Sequence, residues 1–590
     1  MQKKHRYNSL FRADLSFAKV LVLVPHQDDE LNVAANMIPY LKGQNAEVYI
    51  AYSTNGDWRY SFEKRCREAL ALGERMGIDK DHFIFLGYGD AANNDRGDHM
   101  FYAHGTPVTS SAGHKYTYGN AEVTDYAFLR RGIHRPYTHE SFVEDIKDLL
   151  LDIKPDLILC VDWDYHSDHR MLAIAFDEAM GSILGSGSGY RPQVWKRLAY
   201  SLAFFARPDY YDGMNVGQTV RPDPQSTENY EFELVDTLYY DWESRIRFPA
   251  MPGAMRFPIR RNSVSKGLLC HESQFIILHA ESIINSDEVY WERRTDSISY
   301  GANVSVSSGE GRYLNDFLVI NATDIDSDPP VTGDYLWTPD RNDSLRQAVF
   351  EWETGQDVEE VRLYANLHDR GRIRNIHIEF SSGLSLDTGE LPANGKCLRR
   401  SFARQHDIRW AVIQIDDAEG TDFGLSECEF YSDAETRSVI PEYCKILIDG
   451  TFAYEYLIGP GDASFKIGTY VYGDAAAGQI QVEEGDAVIE DGRLFIPRES
   501  EKVMLLLKGR TGGGGAIFDR MSIRRVSEKE IRAWKYRRAI DRLWLRRILA
   551  ERKTRAALRV AGGYGIKGII GKVKENISEI QQKKGRNRDE

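Results

Sequence analysis

Apolar residues along the first 300 positions fall into short runs separated by polar stretches. Val20–Val24 is the first run, followed by a helical pattern over about Glu30–Leu41. Glu47–Tyr52 reads as a second strand, Phe62–Met76 as an amphipathic helix and His82–Leu86 as a third strand. Ser141–Ile153 is a helix with Leu149, Leu150 and Ile153 on its buried side, and Pro155–Val161 is a further strand. Strands alternating with helices predict a Rossmann-like parallel sheet covered on both faces. The stretch 90–138 is long and rich in Gly, Asn, Tyr and His, the texture of a substrate loop.

Near Ser299 the pattern changes to short alternating strands: Val349–Trp352, Val361–Tyr364, Ile376–Phe380, Trp410–Ile415 and Cys428–Tyr431. This predicts a β-sandwich. The order Leu363-Tyr364, Arg372-Ile373, Gly395 and Gly424-Leu425-Ser426-Glu427-Cys428-Glu429 resembles a discoidin-like (galactose-binding-like) module. Trp337, Trp352 and Trp410 suit either a sugar platform or, more commonly, the core of such a sandwich. Cys444–Ile448, Phe465–Tyr472 and Val503–Leu507 predict a second, smaller sandwich. From Ser527 the pattern turns helical, with Trp534, Ile540, Leu543, Trp544, Ile548 and Leu549 close to one face and arginines opposite. The expected organisation is an α/β domain over 1–297, sandwiches over 298–433 and 434–526, and a basic amphipathic helical tail over 527–590.

At 590 residues the chain is too long for one core. A formal net charge of −14 argues against nucleic acid as the main partner, although the tail is strongly basic. Such a tail suits an anionic membrane surface as readily as the acidic remainder of the chain. Six cysteines are scattered without metal or disulfide spacing, and no apolar stretch reaches membrane-spanning length. A cytoplasmic protein, peripheral to the membrane through its tail, is the expectation.

Two polar clusters change the picture most. Pro25-His26-Gln27-Asp28-Asp29-Glu30 follows the first apolar run, and Tyr165-His166-Ser167-Asp168-His169 follows Leu157–Val161. Open α/β sheets bind their ligands at the carboxyl ends of strands. Taken alone, Asp28-Asp29-Glu30 reads as a helix N-terminus whose acids match the dipole, and the two histidines as surface residues. Two His/Asp clusters at two strand ends together suggest one divalent metal site, with a carboxylate left over as a base. The residues by themselves do not fix which of Asp28 and Asp29 binds the metal.

His26-x-Asp28-Asp29-Glu30 with His166-x-Asp168-His169 resembles the PIG-L/LmbE family of metal-dependent de-N-acetylases. Thr54-Asn55-Gly56, Arg65, Glu68, Leu86–Asp90, Lys266 and His271-Glu272-Ser273-Gln274 extend the likeness. Gln27 stands where proline is usual, and Ser167 departs from the pattern in the second motif. The resemblance implies a zinc hydrolase, with ferrous iron as the other metal, that deacetylates an N-acetylglucosamine-type glycoconjugate, as in cell-surface polysaccharide synthesis. It implies His26, Asp29 and His169 as metal ligands and Asp28 as general base. His166 becomes the oxyanion partner or acid, Asp168 a carboxylate orienting an imidazole, and Arg65 and Asp90 substrate contacts. An amidase acting on another acylated sugar, or a glycan-binding scaffold without catalysis, are the competing expectations.

Overall fold

The computed structural model describes residues 19–90, 103–163, 166–199, 244–251, 254, 262–274, 287–319, 322–324, 331–332, 336–366, 371–392, 396–421, 423–435, 439–450 and 455–533, with scattered residues from 536 to 554. The N-terminal unit is built on a seven-stranded sheet. Its strands are β1 (Lys19–Val24), β2 (Glu47–Thr54), β3 (Phe83–Tyr88), β4 (Leu157–Val161), β5 (Gln193–Arg197), β6 (Ile246–Phe248) and β7 (Glu288–Glu292), in the order β3-β2-β1-β4-β5-β7-β6. β1 to β5 pair in parallel, whereas β7 runs antiparallel to β5 and β6 antiparallel to β7. The doubly wound sheet thus ends in an antiparallel ribbon that the strand–helix alternation did not predict. Central strands are apolar throughout because helices bury both faces, and every residue of β4 is buried.

The helices are α1 (Asp29–Ala34), α2 (Met37–Gly43), α3 (Phe62–Met76), α4 (Tyr126–Arg131), α5 (His139–Ile153), α6 (Ser167–Gly185) and α7 (Ser263–Leu268). The helix expected over Glu30–Leu41 is broken in two. Pro39 has no amide proton to give Ala35, and its ring crowds that carbonyl, so the helix restarts at Met37. α3 matches its expected span and ends on Gly77 in the left-handed conformation that glycine tolerates.

The strand order reverses between β1 and β4, which places the ligand crevice of a doubly wound sheet at their carboxyl ends. Both polar clusters emerge there.

An antiparallel sheet follows, built around Gln347–Ala365, Gly371–Phe380, Leu398–Gly420 and Leu425–Tyr431. The segments expected as two strands at Val349–Trp352 and Val361–Tyr364 are one strand, Gln347–Ala365, continued through register shifts between Glu351 and Glu360. Trp337 and Trp352 are buried in its core, while Trp410 is partly exposed. Next come two four-stranded sheets that enclose Cys444, Ile446, Leu494, Leu505 and Ile523.

Both modules lean on the antiparallel ribbon. On β6, the Arg247 guanidinium donates to Asp287 at 2.7 Å and to the Tyr470 hydroxyl at 2.6 Å, and its amide donates to the Tyr472 oxygen at 2.8 Å. Beyond β7, buried Arg293 pairs with Glu429 of the first module and donates to the Phe317 carbonyl at 3.2 Å. Glu429 also accepts hydroxyl bonds from Tyr300, Tyr364 and Tyr431.

From Glu528 to Thr554 the described residues are helical. Trp534, Leu549 and everything after Thr554 lie outside the described residues, so the expected apolar stripe is traced only through Ile540, Leu543, Trp544 and Ile548. Leu543 is 63% exposed. Among the described residues no helix is long and apolar enough to cross a membrane.

Candidate active site

The turn after β1 delivers His26, Gln27, Asp28 and Asp29, all buried. The loop after β4 delivers His166 as the cap of α6, with buried Asp168 and His169 in that helix's first turn. Asp29 stands between two imidazoles: its Oδ2 lies 3.1 Å from His26 Nδ1 and 3.3 Å from His169 Nε2. Asn32, one helical turn on, donates to Asp29 Oδ1 at 3.2 Å and fixes the carboxylate's rotation. The other nitrogen of His26, Nε2, lies 3.1 Å from Asp168 Oδ2 and 3.8 Å from Asp90 Oδ2. Asp168 therefore orients His26 across the β1/β4 boundary.

At this edge two groupings, His26/His166/His169 and His26/Asp90/Asp168, each bring their donor atoms within 4.8 Å of one another. The first combines with Asp29 into one pocket of nitrogen and carboxylate donors. Ligands bound to one tetrahedral ion at about 2.1 Å stand about 3.4 Å apart, close to the separations around Asp29 Oδ2. The mixed nitrogen and carboxylate donor set suits a divalent transition metal. The donors around Asp29 Oδ2 pass this test, and the nitrogens that converge are those of His26, His166 and His169, so His26 and His169 are common to both arrangements and Asp29 or His166 supplies the third ligand.

The electrostatics agree with tight mutual engagement. Burial pushes the Asp29 carboxyl up, but His169 and His26 outweigh it and hold it well below the usual carboxylate range. Burial would lower His26, yet its bonds to Asp168 and Asp29 hold it well above the ordinary imidazole value. Asp28 behaves differently. Burial raises it to about 6 against the pull of the Arg65 guanidinium. A carboxyl near 6 is matched to accepting a proton around neutrality.

Asp28 caps α1 with φ +156° and ψ −23°, a sparsely populated conformation for a residue with a side chain. Its amide is held by Glu30 Oε2 at 2.8 Å and by the His26 carbonyl at 3.1 Å. Glu30 in turn receives His271 at 2.6 Å, and Glu68 receives the amide and hydroxyl of Ser273 at 2.8 and 2.5 Å. The closing segment around His271 is thus clamped onto α1 and α3. Arg65 is buried, with Nη2 3.3 Å from Asp28 Oδ1 and Nε donating to Gln27 Oε1 at 3.1 Å. It faces Asp28 instead of forming a helix-surface pair. Gln27, the departure from the family pattern, uses its amide to bridge Arg65 and the Thr54 carbonyl.

Asp90 is buried beside His26, and its amide donates to Asp57 Oδ1 at 2.9 Å. The Tyr118 hydroxyl donates to Asp57 Oδ2 at 2.5 Å. Sequence reasoning missed Asn32, Asp57 and Tyr118. Asn32 was legible, one turn after Asp29 on the same helix face. Tyr118 and Asp57 lie 61 residues apart, and nothing local links them. His166 Nδ1 accepts the Asp168 amide at 3.2 Å, which leaves the proton of a neutral ring on Nε2.

Solved structures with similar segments are distant. They include the lectin domain of lectinolysin complexed with Lewis B antigen (19% identity, 24% of this chain and 99% of that chain, TM-score 0.19). The family 32 carbohydrate-binding module of Clostridium perfringens NanJ in complex with galactose is another (14%, 22% and 92%, 0.17). A triple mutant of a deacetylase of the teicoplanin biosynthetic pathway covers more of the chain (13%, 46% and 97%, 0.25). No curated protein matches the chain. The family model described as PIG-L, GlcNAc-PI de-N-acetylase, matches residues 21–180, a span that contains all but the first two residues of β1, the whole of β4 and every residue of the two polar clusters, so the α/β unit of this chain carries a PIG-L domain.

Proposed function

We propose that this protein is a metal-dependent hydrolase that removes the acetyl group from an N-acetylglucosamine-type sugar in a glycoconjugate, in cell-surface polysaccharide synthesis. The observation that carries this reading is the convergence of the β1 and β4 clusters on the Asp29 carboxylate. His26, Asp29 and His169 hold the cation, zinc or ferrous iron. When bound, such an ion makes water nucleophilic near neutrality and polarises the amide carbonyl.

Asp28 accepts the proton of the attacking water, and Arg65 keeps its carboxylate turned towards the site. His166, whose Nδ1 accepts the Asp168 amide, donates from Nε2 to the oxyanion that develops on the former carbonyl oxygen. The C–N bond then breaks, and the proton held by Asp28 passes to the departing amine, leaving free amine and acetate. Asp168 fixes the tautomer and orientation of His26. Asp90, anchored through Asp57, meets the sugar hydroxyls.

Acetate release from a panel of N-acetylglucosamine conjugates tests the reading. Release that depends on added divalent metal supports it, whereas release of another acyl group points to a different amidase. No release from any acylated sugar would leave a glycan-binding scaffold. Metal analysis separates the two ligand assignments. His166→Ala is expected to retain about one ion per chain, and loss of the ion would make His166 a ligand.

A second partner in this reading is an anionic membrane surface, with the protein cytoplasmic and peripheral. Eleven Lys and Arg face four Asp and Glu between Ser527 and Arg555, while the whole chain carries −14. Tyr536 and Leu543 stand exposed on this helix. Basic helices with apolar side chains bind anionic interfaces. Salt-sensitive sedimentation with phosphatidylserine vesicles is expected, abolished by truncation before Ser527 while turnover of soluble substrate persists. Intact protein that ignores such vesicles at low salt would remove the membrane from the reading.

A further inference from the structure

We propose that Trp58 forms an outer subsite that stacks on the sugar ring next to the one being deacetylated, an inference that rests on the amino-sugar reading above. The loop from β2 to α3 leaves the sheet at the same carboxyl edge as the His26 turn. Its base is rigid. The Asn55 amide donates to the Tyr88 carbonyl at 2.7 Å, and buried Asp57 is tied to the Asp90 amide and the Tyr118 hydroxyl. Gly56, at φ +60°, lies against the site itself, since a Cβ there would meet Gln27 Oε1 at 2.6 Å and Arg65 Nε at 2.9 Å. Only glycine suits both the backbone and the space.

Directly after this buried base the chain presents Trp58, Arg59 and Tyr60. Trp58 is 37% exposed, whereas Trp163, Trp195, Trp291, Trp337 and Trp352 are all buried. The Arg59 guanidinium stacks 3.9 Å from the indole centroid, and the Lys64 ammonium sits 5.3 Å from the Tyr60 ring. A large ring held out of the core, on a loop immobilised from beneath, loses little freedom when a ligand covers it. Trp58 directly follows Asp57, whose carboxylate receives the Asp90 amide, and Asp90 Oδ2 lies 3.8 Å from His26 Nε2, so the indole stands on the loop that borders the reacting centre. With Arg59 over one side of the indole, the opposite flat apolar face matches the C–H face of a pyranose. The substrate class that fits is an oligosaccharide or glycosylated conjugate in which a second ring adjoins the N-acetylated one.

Kinetics on N-acetylglucosamine and N,N′-diacetylchitobiose test the subsite. Trp58→Ala is expected to raise KM for the disaccharide about three- to tenfold with kcat unchanged, and to leave the monosaccharide unaffected. Trp58→Phe should restore most of the difference. Equal effects on both sugars, or none on either, would overturn the proposal. Should wild-type protein release acetate from neither sugar, the enzymatic reading of these sugars fails separately. Calorimetric titration with the disaccharide then decides the subsite. Weaker binding by Trp58→Ala upholds it, and equal or absent binding overturns it.

Discussion

Replacing Asp28 by asparagine is expected to lower turnover by about two orders of magnitude or more while the metal content stays at the wild-type level. The amide keeps the shape of the carboxylate but cannot accept the water proton. Wild-type turnover should rise with pH as Asp28 ionises. Burial holds this carboxyl near 6, and a bound divalent cation would displace the limb to lower pH, because positive charge favours the carboxylate. The limb should vanish in the variant. Near-normal turnover would exclude Asp28 as the base. Metal lost together with activity would mean that Asp28 and Asp29 have exchanged roles.

The reasons Asp28 and Asp29 differ were not legible in the sequence, where the two are adjacent and chemically alike. Helix geometry separates them. Asp28 sits at the cap and meets Arg65 from α3, whereas Asp29 begins α1 and turns towards His26 and His169. The sheet itself was readable, because β1 and β4 are apolar runs that end abruptly in polar residues. Pro39 was also on the page, and reading it would have divided the first helix. The antiparallel ribbon of β6 and β7 was not readable: β6 is three residues long and finds its partner about 40 positions away. Such pairings depend on long-range closure that no local periodicity reports.

Arg293→Met is expected to cost up to about 3–5 kcal/mol, because it removes the cation that pairs directly with the buried Glu429 carboxylate and leaves it hydroxyl donors and the field of Arg362. The first thermal transition should fall by on the order of ten degrees, measured by calorimetry. Adding Glu429→Gln should recover much of the loss, since the pair is then removed instead of broken. A single variant that melts with wild-type protein would show that the junction contributes nothing to cohesion between the α/β unit and the first β module.

The ribbon has a consequence for how this protein can be divided or recombined. The family match stops at residue 180, yet the sheet that supports the site is completed only by β5 and by β7 at Glu292. The same ribbon presents Arg247 to Tyr470 and, through Arg293, reaches Glu429. A gene fragment ending at the family boundary would expose the flank of β4, a fully apolar strand, as a sticky edge inviting aggregation. The inheritable cassette is therefore longer than the recognisable motif, and shuffling this catalytic unit between proteins requires carrying its β neighbours with it.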